Sequence, residues 1–248
     1  MRTVKALTIG AALASAVAYH FVEAGFGRRL WYRSYVALAG RRTLEDVLRE
    51  IGPNHRPALQ RLFAASQAPY PAREIRVLAF KRERVLEIWA EKARGGYALV
   101  RTYPVLAACG GPGPKLREGD LQVPEGVYRL TVLNPNSSYH LSLRVDYPNA
   151  FDRGKARGDG RTRLGGDIYL HGKAVSIGCL AIGDPAIEEL FVLAADTGLL
   201  RMRVVIAPDR EMNGETSSSP PWLGELYGRI RAELNRVRGT TAPGNAGR

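Results

Sequence analysis

The sequence is poor in cysteine and in acidic residues, and both shortages narrow the classes of protein that it fits. Only two of its 248 residues are cysteine, which excludes a disulfide-dense scaffold and a four-cysteine zinc site. Lysine and arginine number 36 against 24 acidic residues, so the formal net charge is +12. This excess indicates an anionic partner: nucleic acid, an anionic membrane face or an acidic polymer. The hydrophobic fraction of 45% is that of an ordinary globular protein and excludes collagen-like and wholly disordered chains.

An uncharged run near the N-terminus predicts where the protein resides. Arg2 and Lys5 precede an uncharged stretch over residues 6–18, which ends in small-x-small cleavage sequences. Residues 1–24 are therefore predicted to be a secretory signal peptide, with an uncleaved inner-membrane anchor as the alternative. Both interpretations place the protein in the periplasm or cell envelope. Export makes a bacterial wall polymer a better partner than nucleic acid.

Apolar periodicity and turn residues predict a β-rich middle with helical flanks. Helices are predicted over residues 43–65, with a break at Gly52-Pro53, and over 184–197 and 222–237. The glycine-rich, basic stretch 151–163 is expected to be a surface loop. Strands are predicted over residues 75–80, 85–89, 97–108, 127–133, 139–145, 168–170 and 202–206.

The residues suited to catalysis concentrate between His171 and Cys179. A predicted strand ends at His171 and a glycine-flanked loop leads to Cys179, so the loop can bring imidazole and thiol together. A free thiol is mostly protonated at neutral pH, and we therefore predict Cys179 as nucleophile and His171 as its base. Gly178 permits a turn that directs its own N–H and that of Cys179 at an oxyanion, while Ser176 holds the loop by hydrogen bonds. Purely structural roles for the two side chains are the alternative.

Polar residues on neighbouring strands are candidates for binding substrate. Alternation along residues 139–146 places four side chains on one face: His140, Ser142, Arg144 and Asp146. His140 and Arg144 are the candidates for an anionic peptide, against the alternative of a solvated sheet face. Tyr169 alternates onto the face of His171 and is expected to flank the base. Lys173 lies within the active loop and suits a substrate carboxylate, although an ordinary surface lysine is an equally good interpretation.

Several stretches together resemble a known family. His171-Gly172 and Ser176-Ile177-Gly178-Cys179 resemble the signature of the L,D-transpeptidase catalytic (YkuD-type) domain, a His-Gly followed by Ser/Thr-His-Gly-Cys. Three further stretches are similar to its YafK-like branch: residues 113–128, 134–143 and 147–152. The resemblance covers residues 70–210. It marks them as the catalytic domain, with a helical lead-in over 25–69 and a linker, basic helix and disordered tail over 211–248.

The resemblance implies a fold and a chemistry. The fold is expected to be mainly β with flanking helices, a curved sandwich of mixed sheets with a helix after the catalytic cysteine. The reaction is expected to be acyl transfer on peptidoglycan stem peptides through a thioester on Cys179, in cell wall remodelling or cross-linking, with no metal or other cofactor. The resemblance also makes Gly172 part of the active loop and Lys115 a candidate substrate contact. An amine on a second stem peptide or a wall-linked protein would resolve the thioester in a transpeptidase.

Two departures from the family pattern leave the outcome of the reaction open. Ile177 occupies the position of the family's common histidine, and Ala181 that of an arginine often found two residues after the cysteine. His171 therefore has to be the base, and the substrate carboxylate has to be recognised elsewhere. Hydrolysis by an L,D-peptidase or amidase is one alternative, and a non-catalytic wall-binding module is another. A disulfide between Cys109 and Cys179 would block the nucleophile, and it is disfavoured because Cys109 lies at a predicted strand end where any small residue would serve equally well.

Overall fold

A computed structural model of the chain describes residues 40–213 and 220–239. One compact unit begins at Leu44. The predicted signal peptide or anchor and the predicted tail lie outside the described residues. Within the described ranges, no helix is both long enough and apolar enough to cross a membrane.

The described strands form one mixed sheet with helices on both sides. The strands are β1 (Ile75–Phe80), β2 (Val85–Glu91), β3 (Tyr97–Pro104), β4 (Gly126–Ser137), β5 (His140–Val145), β6 (Tyr169–His171), β7 (Leu180–Ala181) and β8 (Met202–Ala207). The helices are α1 (Leu44–Ala65), α2 (Ala150–Gly158), α3 (Asp184–Thr197) and α4 (Leu223–Arg238), with a 3₁₀ turn over Leu199–Arg201. The strand order is β3-β2-β1-β8-β4-β5-β6-β7, and only the pairs β1–β8 and β6–β7 of this sheet are parallel. The predicted fold class, a mixed sheet with flanking helices and a helix after Cys179, is confirmed.

The sheet separates two apolar clusters, because successive side chains point to opposite faces. Val77 and Leu143 face the larger cluster, which α1 and α3 cover. Leu78 and Val205 face the smaller cluster, where they pack with Ile230 of α4. Complete burial of such a side chain stabilises the fold by about 1.5–3 kcal/mol. Helix α4 packs on the middle of its face, against side chains of β1, β8 and β4, and the β5–β6 part carries the polar residues described below.

Helix α1 is continuous through Gly52 and Pro53, where the sequence predicted a break. Arg56 lies across Gly52, where an added Cβ would come 2.2 Å from Nη1 of the arginine. The guanidinium forms two hydrogen bonds with the Asp196 carboxylate of α3, at 2.8 and 3.0 Å. Packing against α3 therefore outweighs the weak helix preference of glycine and proline.

The predicted loop over residues 151–163 is wrong in its first half, because α2 occupies it. The Asn149 side chain accepts hydrogen bonds from the N–H groups of Phe151 and Asp152, and the Asp152 carboxylate accepts one from the Asn149 N–H at 2.9 Å. This capping box satisfies the donors of the first turn. Strand β3 also ends at Pro104 rather than at residue 108, and the two-residue β7 was not predicted.

A buried ion pair joins the end of β1 to the segment that precedes β4. Lys81 Nζ donates to Glu125 Oε1 at 3.0 Å and to the carbonyl oxygens of Gly113 and Val123 at 2.9 and 3.1 Å. The Glu125 carboxylate also accepts from the Gly113 N–H at 2.8 Å and from the Tyr227 hydroxyl of α4 at 2.9 Å. Burial lowers the pKa of Lys81, and the charge of Glu125 opposes that shift. One pair thus ties two strands, a glycine-rich loop and α4 together.

Replacing Lys81 by methionine is expected to lower the free energy of unfolding by about 3–5 kcal/mol, because Glu125 would remain buried without its counter-charge. Urea unfolding followed by circular dichroism measures this loss. Arg163→Met is the control, since Arg163 and Glu118 form an ion pair with side chains 80% and 56% exposed, worth less than about 1 kcal/mol. Equal losses in the two variants would contradict the assignment.

Candidate active site

The pairing of β6 with β7 closes the predicted active loop. Leu170 lies opposite Leu180 and His171 opposite Ala181 in a parallel register. The two ends of the loop are therefore side by side, and Cys179, which precedes Leu180, lies next to Tyr169, which precedes Leu170. The loop between the strand that ends at His171 and Cys179, eight residues later, folds back on itself, as the sequence predicted.

The His171 imidazole is buried, with 2% of the residue's surface exposed. Its Nδ1 lies 2.6 Å from the Gly172 carbonyl oxygen. Because a carbonyl oxygen only accepts, this contact assigns the proton to Nδ1 and leaves the lone pair on Nε2. Burial lowers the pKa of His171, against a smaller opposing effect of the Gly172 hydrogen bond. The ring also packs at 4.6 Å against the Tyr139 ring, so the imidazole is held neutral in one orientation.

The Cys179 thiol is half-buried and donates to the carbonyl oxygen of Asp167, with 3.5 Å between Sγ and oxygen. Burial raises the pKa of Cys179, and the Asp167 carboxylate adds to this shift, whereas the hydrogen bond from the Tyr169 N–H opposes it. In this conformation the thiol donates its hydrogen bond to the Asp167 carbonyl oxygen rather than to the imidazole. Both pKa shifts favour the uncharged forms of the thiol and the imidazole.

A cavity of about 200 Å³ contains both side chains. Tyr169 lines it, as the strand alternation predicted, and Ser142 lies opposite His171 in the β5–β6 register. The remaining lining residues come from the turn between β4 and β5 and its flanks: Asn134, Asn136, Ser137, Ser138 and Tyr139. The cavity is thus a polar chamber with one thiol and one imidazole in its wall.

Ser176 holds the active loop by three hydrogen bonds. Its Oγ accepts from the N–H groups of Gly178 and Cys179 at 3.2 and 3.0 Å and donates to the Cys179 carbonyl oxygen at 2.7 Å. The sequence analysis predicted that these two N–H groups point at an oxyanion. In this conformation both donate to the Ser176 hydroxyl instead. Gly178 has a φ of +125°, which a residue with a side chain would adopt only with strain.

Gly172 and Lys173 connect the active loop to the start of α3. An added Cβ at Gly172 would lie 2.5 Å from Asp184 Oδ1 and 2.7 Å from the Tyr139 carbonyl oxygen, so only glycine fits. The Lys173 N–H donates to Asp184 Oδ1 at 2.8 Å, and its ammonium group pairs with the same carboxylate. Lys173 therefore has a partner within the protein and does not line the cavity of about 200 Å³.

His140 also lies away from the cavity. Its φ of +76° interrupts the alternation that was used to place it, and its Nε2 lies 2.6 Å from Glu188 Oε1. The other oxygen of Glu188 lies 3.0 Å from Nε2 of His55. His140 thus joins β5 to α3 and α1 instead of facing Cys179.

Lys115 and Arg144, the last two predicted substrate contacts, differ in position. The Lys115 ammonium is buried and pairs with Asp120 within its own loop, although its charge still slightly lowers the pKa of Cys179 against the larger effect of burial. Arg144 is exposed, lies opposite Tyr169 in the register, and pairs with Asp167 at 3.3 Å. It therefore lies at the border of the site.

Three groups at the site were missed as site residues. The Tyr139 ring packs against the His171 imidazole, the Asp167 carbonyl oxygen accepts a hydrogen bond from the Cys179 thiol, and Cys109 donates to the Ser176 carbonyl oxygen at 2.9 Å. Both cysteines are free. The run of mostly polar residues from Asn134 to Ser138 could have indicated that the β4–β5 turn lines the site. Contacts with backbone carbonyl groups, in contrast, cannot be predicted from a sequence pattern. Among the residues with described positions, no group of three or more His, Cys, Asp or Glu side chains is arranged to hold a metal ion.

Comparison with known proteins assigns the family. Residues 74–206 match the family model of YkuD, the L,D-transpeptidase catalytic domain. This match covers more than half of the chain, and the chain belongs to that family. It is 36% identical to YafK of Escherichia coli (strain K12) over 114 residues, which are 45% of this chain and 44% of the relative. The chain therefore matches less than half of that relative's length.

Two solved structures are similar in sequence and shape. The helical cell shape determining protein Pgp2 of Campylobacter jejuni has a TM-score of 0.46 at 23% identity, over 68% of this chain and 56% of that one. Bd1075 of Bdellovibrio bacteriovorus has a TM-score of 0.42 at 21% identity, over 67% and 56% of the two chains.

The resting state of the site can be tested through the reactivity of Cys179. In a Cys109→Ala variant, which leaves one thiol, alkylation by iodoacetamide is expected to titrate with a midpoint above that of the urea-unfolded chain. The reason is that burial raises the pKa of Cys179 in the folded protein and only the thiolate reacts. Intact-mass spectrometry across a pH series measures the rates. A folded midpoint below the unfolded one would show a resting thiolate–imidazolium pair instead.

Proposed function

We propose that this protein transfers acyl groups of peptidoglycan stem peptides through a thioester on Cys179. The observation that carries the proposal is that Cys179 and His171 line one cavity while Nε2 of the base keeps its lone pair. Membership of the L,D-transpeptidase domain family supports this class of chemistry. A charged N-terminus followed by an apolar run supports export to the periplasm or cell envelope, where the substrate is found.

The neutral resting pair suits the first chemical step. As Sγ attacks the carbonyl carbon of the diaminopimelate residue, its proton passes to Nε2 of His171. The resulting imidazolium is stabilised by the Nδ1–H bond to the Gly172 carbonyl oxygen. When the tetrahedral intermediate collapses, the C–N bond breaks, the imidazolium protonates the departing amine, and a thioester remains. An amine or water then attacks the thioester and restores the thiol.

Stabilisation of the intermediate requires a local rearrangement. The N–H groups of Gly178 and Cys179 are the donors closest in sequence to the reacting sulfur, but Ser176 Oγ occupies them at rest. The incoming carbonyl oxygen would replace that hydroxyl, and donors of this kind contribute about 3–4 kcal/mol each to the transition state. In this proposal the Ser176 hydroxyl accepts the two N–H groups whenever no substrate carbonyl is bound, and it thereby keeps the loop ordered between turnovers.

The positions of the polar residues favour different roles in substrate binding. Tyr169 lines the cavity and Arg144 borders it, so these two are proposed to contact the stem peptide directly. Lys173, Lys115 and His140 each have a carboxylate partner within the protein. They are proposed to support the loops around the cavity and to meet substrate only if it displaces those partners.

Cys179→Ala is expected to reduce turnover of purified muropeptides to below about 10⁻⁴ of the native rate, because the covalent route is lost. Product formation is measured by liquid chromatography with mass spectrometry. Cys109→Ala is the matched control, since it removes the other thiol and is expected to retain most of the activity. A Cys179→Ala variant that still turns over would refute the mechanism.

The acceptor can be identified by incubating the protein with tetrapeptide muropeptides, with and without an added amine. We expect cross-linked dimers or amine adducts, together with a thioester adduct on Cys179 in the intact-mass spectrum. Trimmed products alone would assign the protein as a peptidase or amidase, the alternative that the departure at position 181 leaves open. Sacculus binding without any product, unchanged in Cys179→Ala, would instead identify a wall-binding module.

A further inference from the structure

A second concave surface lies on the sheet face that carries the cavity of the thiol. Its volume is about 720 Å³, within the range of about 300–1,000 Å³ that is typical of ligand sites. Five arginines line it, Arg129, Arg144, Arg153, Arg203 and Arg229, and we refer to it as the arginine groove. Among its lining residues, Asp146 is the single carboxylate. The groove is therefore strongly cationic.

Arg144 pairs with Asp167, but most arginines of this groove have no carboxylate partner among the described residues. Within the described chain, Arg129, Arg203 and Arg229 form no ion pair with a carboxylate, although Arg229 lies over the Phe151 ring at 4.7 Å. Asp146 uses Oδ1 to accept the Arg129 backbone N–H at 2.8 Å. The available guanidinium groups suit carboxylate or phosphate, which they bind with two parallel hydrogen bonds.

The strand register concentrates this charge. Arg129 of β4 lies directly opposite Arg203 of β8, and Arg203 lies opposite Arg76 of β1. Like charges in such cross-strand pairs destabilise a sheet. The Arg76 guanidinium forms an ion pair with Glu74 at 2.7 Å, whereas the guanidinium groups of Arg129 and Arg203 form no ion pair among the described residues. A bound anion would remove this repulsion.

The groove lies next to the cavity of the thiol along β5. Ser142 lines that cavity, and Arg144 lines the groove two residues further along the same face of β5, a distance of about 7 Å. Tyr169, opposite Arg144, lies between the two sites in the register. An extended ligand that reaches Cys179 along this face therefore passes over the arginines.

We propose that the arginine groove binds a peptide segment with several carboxylates, as a site separate from the catalytic cavity and adjacent to it. The anionic class follows from the groove itself, whereas the choice of a peptide rests on the proposed function. The apolar side chains in the wall, among them Val127, Val132 and Phe151, suit the aliphatic parts of a peptide. A concave site with Asp146 in its wall fits spaced carboxylates better than a dense phosphate polymer or a flat membrane surface.

Fluorescence anisotropy with a fluorescein-labelled oligoglutamate tests the proposal on the full chain at low salt. The double variant Arg129→Ala/Arg203→Ala is expected to raise the Kd by at least about tenfold, because two charge-assisted contacts are lost. Arg61→Ala/Arg73→Ala is the matched control: it removes the same charge from exposed positions outside the groove and is expected to change the Kd less than about twofold. Cys179→Ser is expected to bind like the native protein, so loss of catalysis and loss of the groove are distinguishable.

Several results would overturn the proposal. An unchanged Kd in the groove variant, or an equal loss in the control variant, would show non-specific attraction to net charge alone. Tighter, arginine-dependent binding of polyphosphate, of an oligonucleotide or of vesicles with anionic phospholipid would assign a different ligand class. If the alanine variant does not fold, the Kd of the double variant Arg129→Lys/Arg203→Lys is measured in its place. This variant keeps the charge but loses the paired hydrogen bonds, and a Kd equal to the native value would count against the site.

Discussion

The arrangement of the site depends on the buried pair of Lys81 and Glu125. This pair anchors the glycine-rich segment before β4 through both the N–H and the carbonyl oxygen of Gly113. Further along that segment, the Leu121–Gln122 backbone lies within 4 Å of where a Cβ on Gly178 would be, and Cys109 at the start donates to the carbonyl of the active loop. A fully hydrogen-bonded pair of opposite charges is one of the few ways to bury lysine and glutamate. The loop that carries Cys179 therefore packs against a segment that is held by the Lys81–Glu125 pair. This segment cannot move unless the pair is exposed to solvent or one of the two charges loses its partner.

Burial then sets the protonation of the site. It raises the pKa of Cys179 and lowers that of His171, so both shifts favour the neutral pair over the ion pair. A neutral thiol that donates to a backbone carbonyl is protected from adventitious reaction, and a neutral imidazole is the form that accepts a proton. The hydroxyl of Ser176 completes this resting state by satisfying the N–H groups beside the sulfur. In the proposed reaction, binding of the substrate carbonyl would supply the free energy needed to displace the Ser176 hydroxyl from these N–H groups.

The sequence allowed prediction of those features that depend on local patterns. The strand–loop–cysteine spacing located His171 and Cys179, and alternation placed Tyr169 at the cavity. The wrong or missed features depend on partners distant in sequence. His140 was expected at the cleft, but its positive φ and its contact with Glu188, 48 residues away, direct it elsewhere. The break predicted in α1 is absent because Arg56 reaches Asp196, 140 residues away. Neither contact has a signature in periodicity or composition.

One sheet face explains how the fold combines its two polar sites. Helix α4 packs on the middle of that face with apolar contacts. Beside it the face carries two polar groups, Arg203 with its partner Arg129 on β8 and β4, and Arg144, Ser142 and His171 on β5 and β6. Strand pairing fixes which residues lie opposite one another on neighbouring strands. It therefore sets the positions of these polar residues on the sheet face, independently of any loop. In the two proposals, the charged group attracts an anionic ligand, whereas the catalytic step takes place at uncharged side chains. The proposed sites are two strand residues apart on β5, so a single domain can carry both.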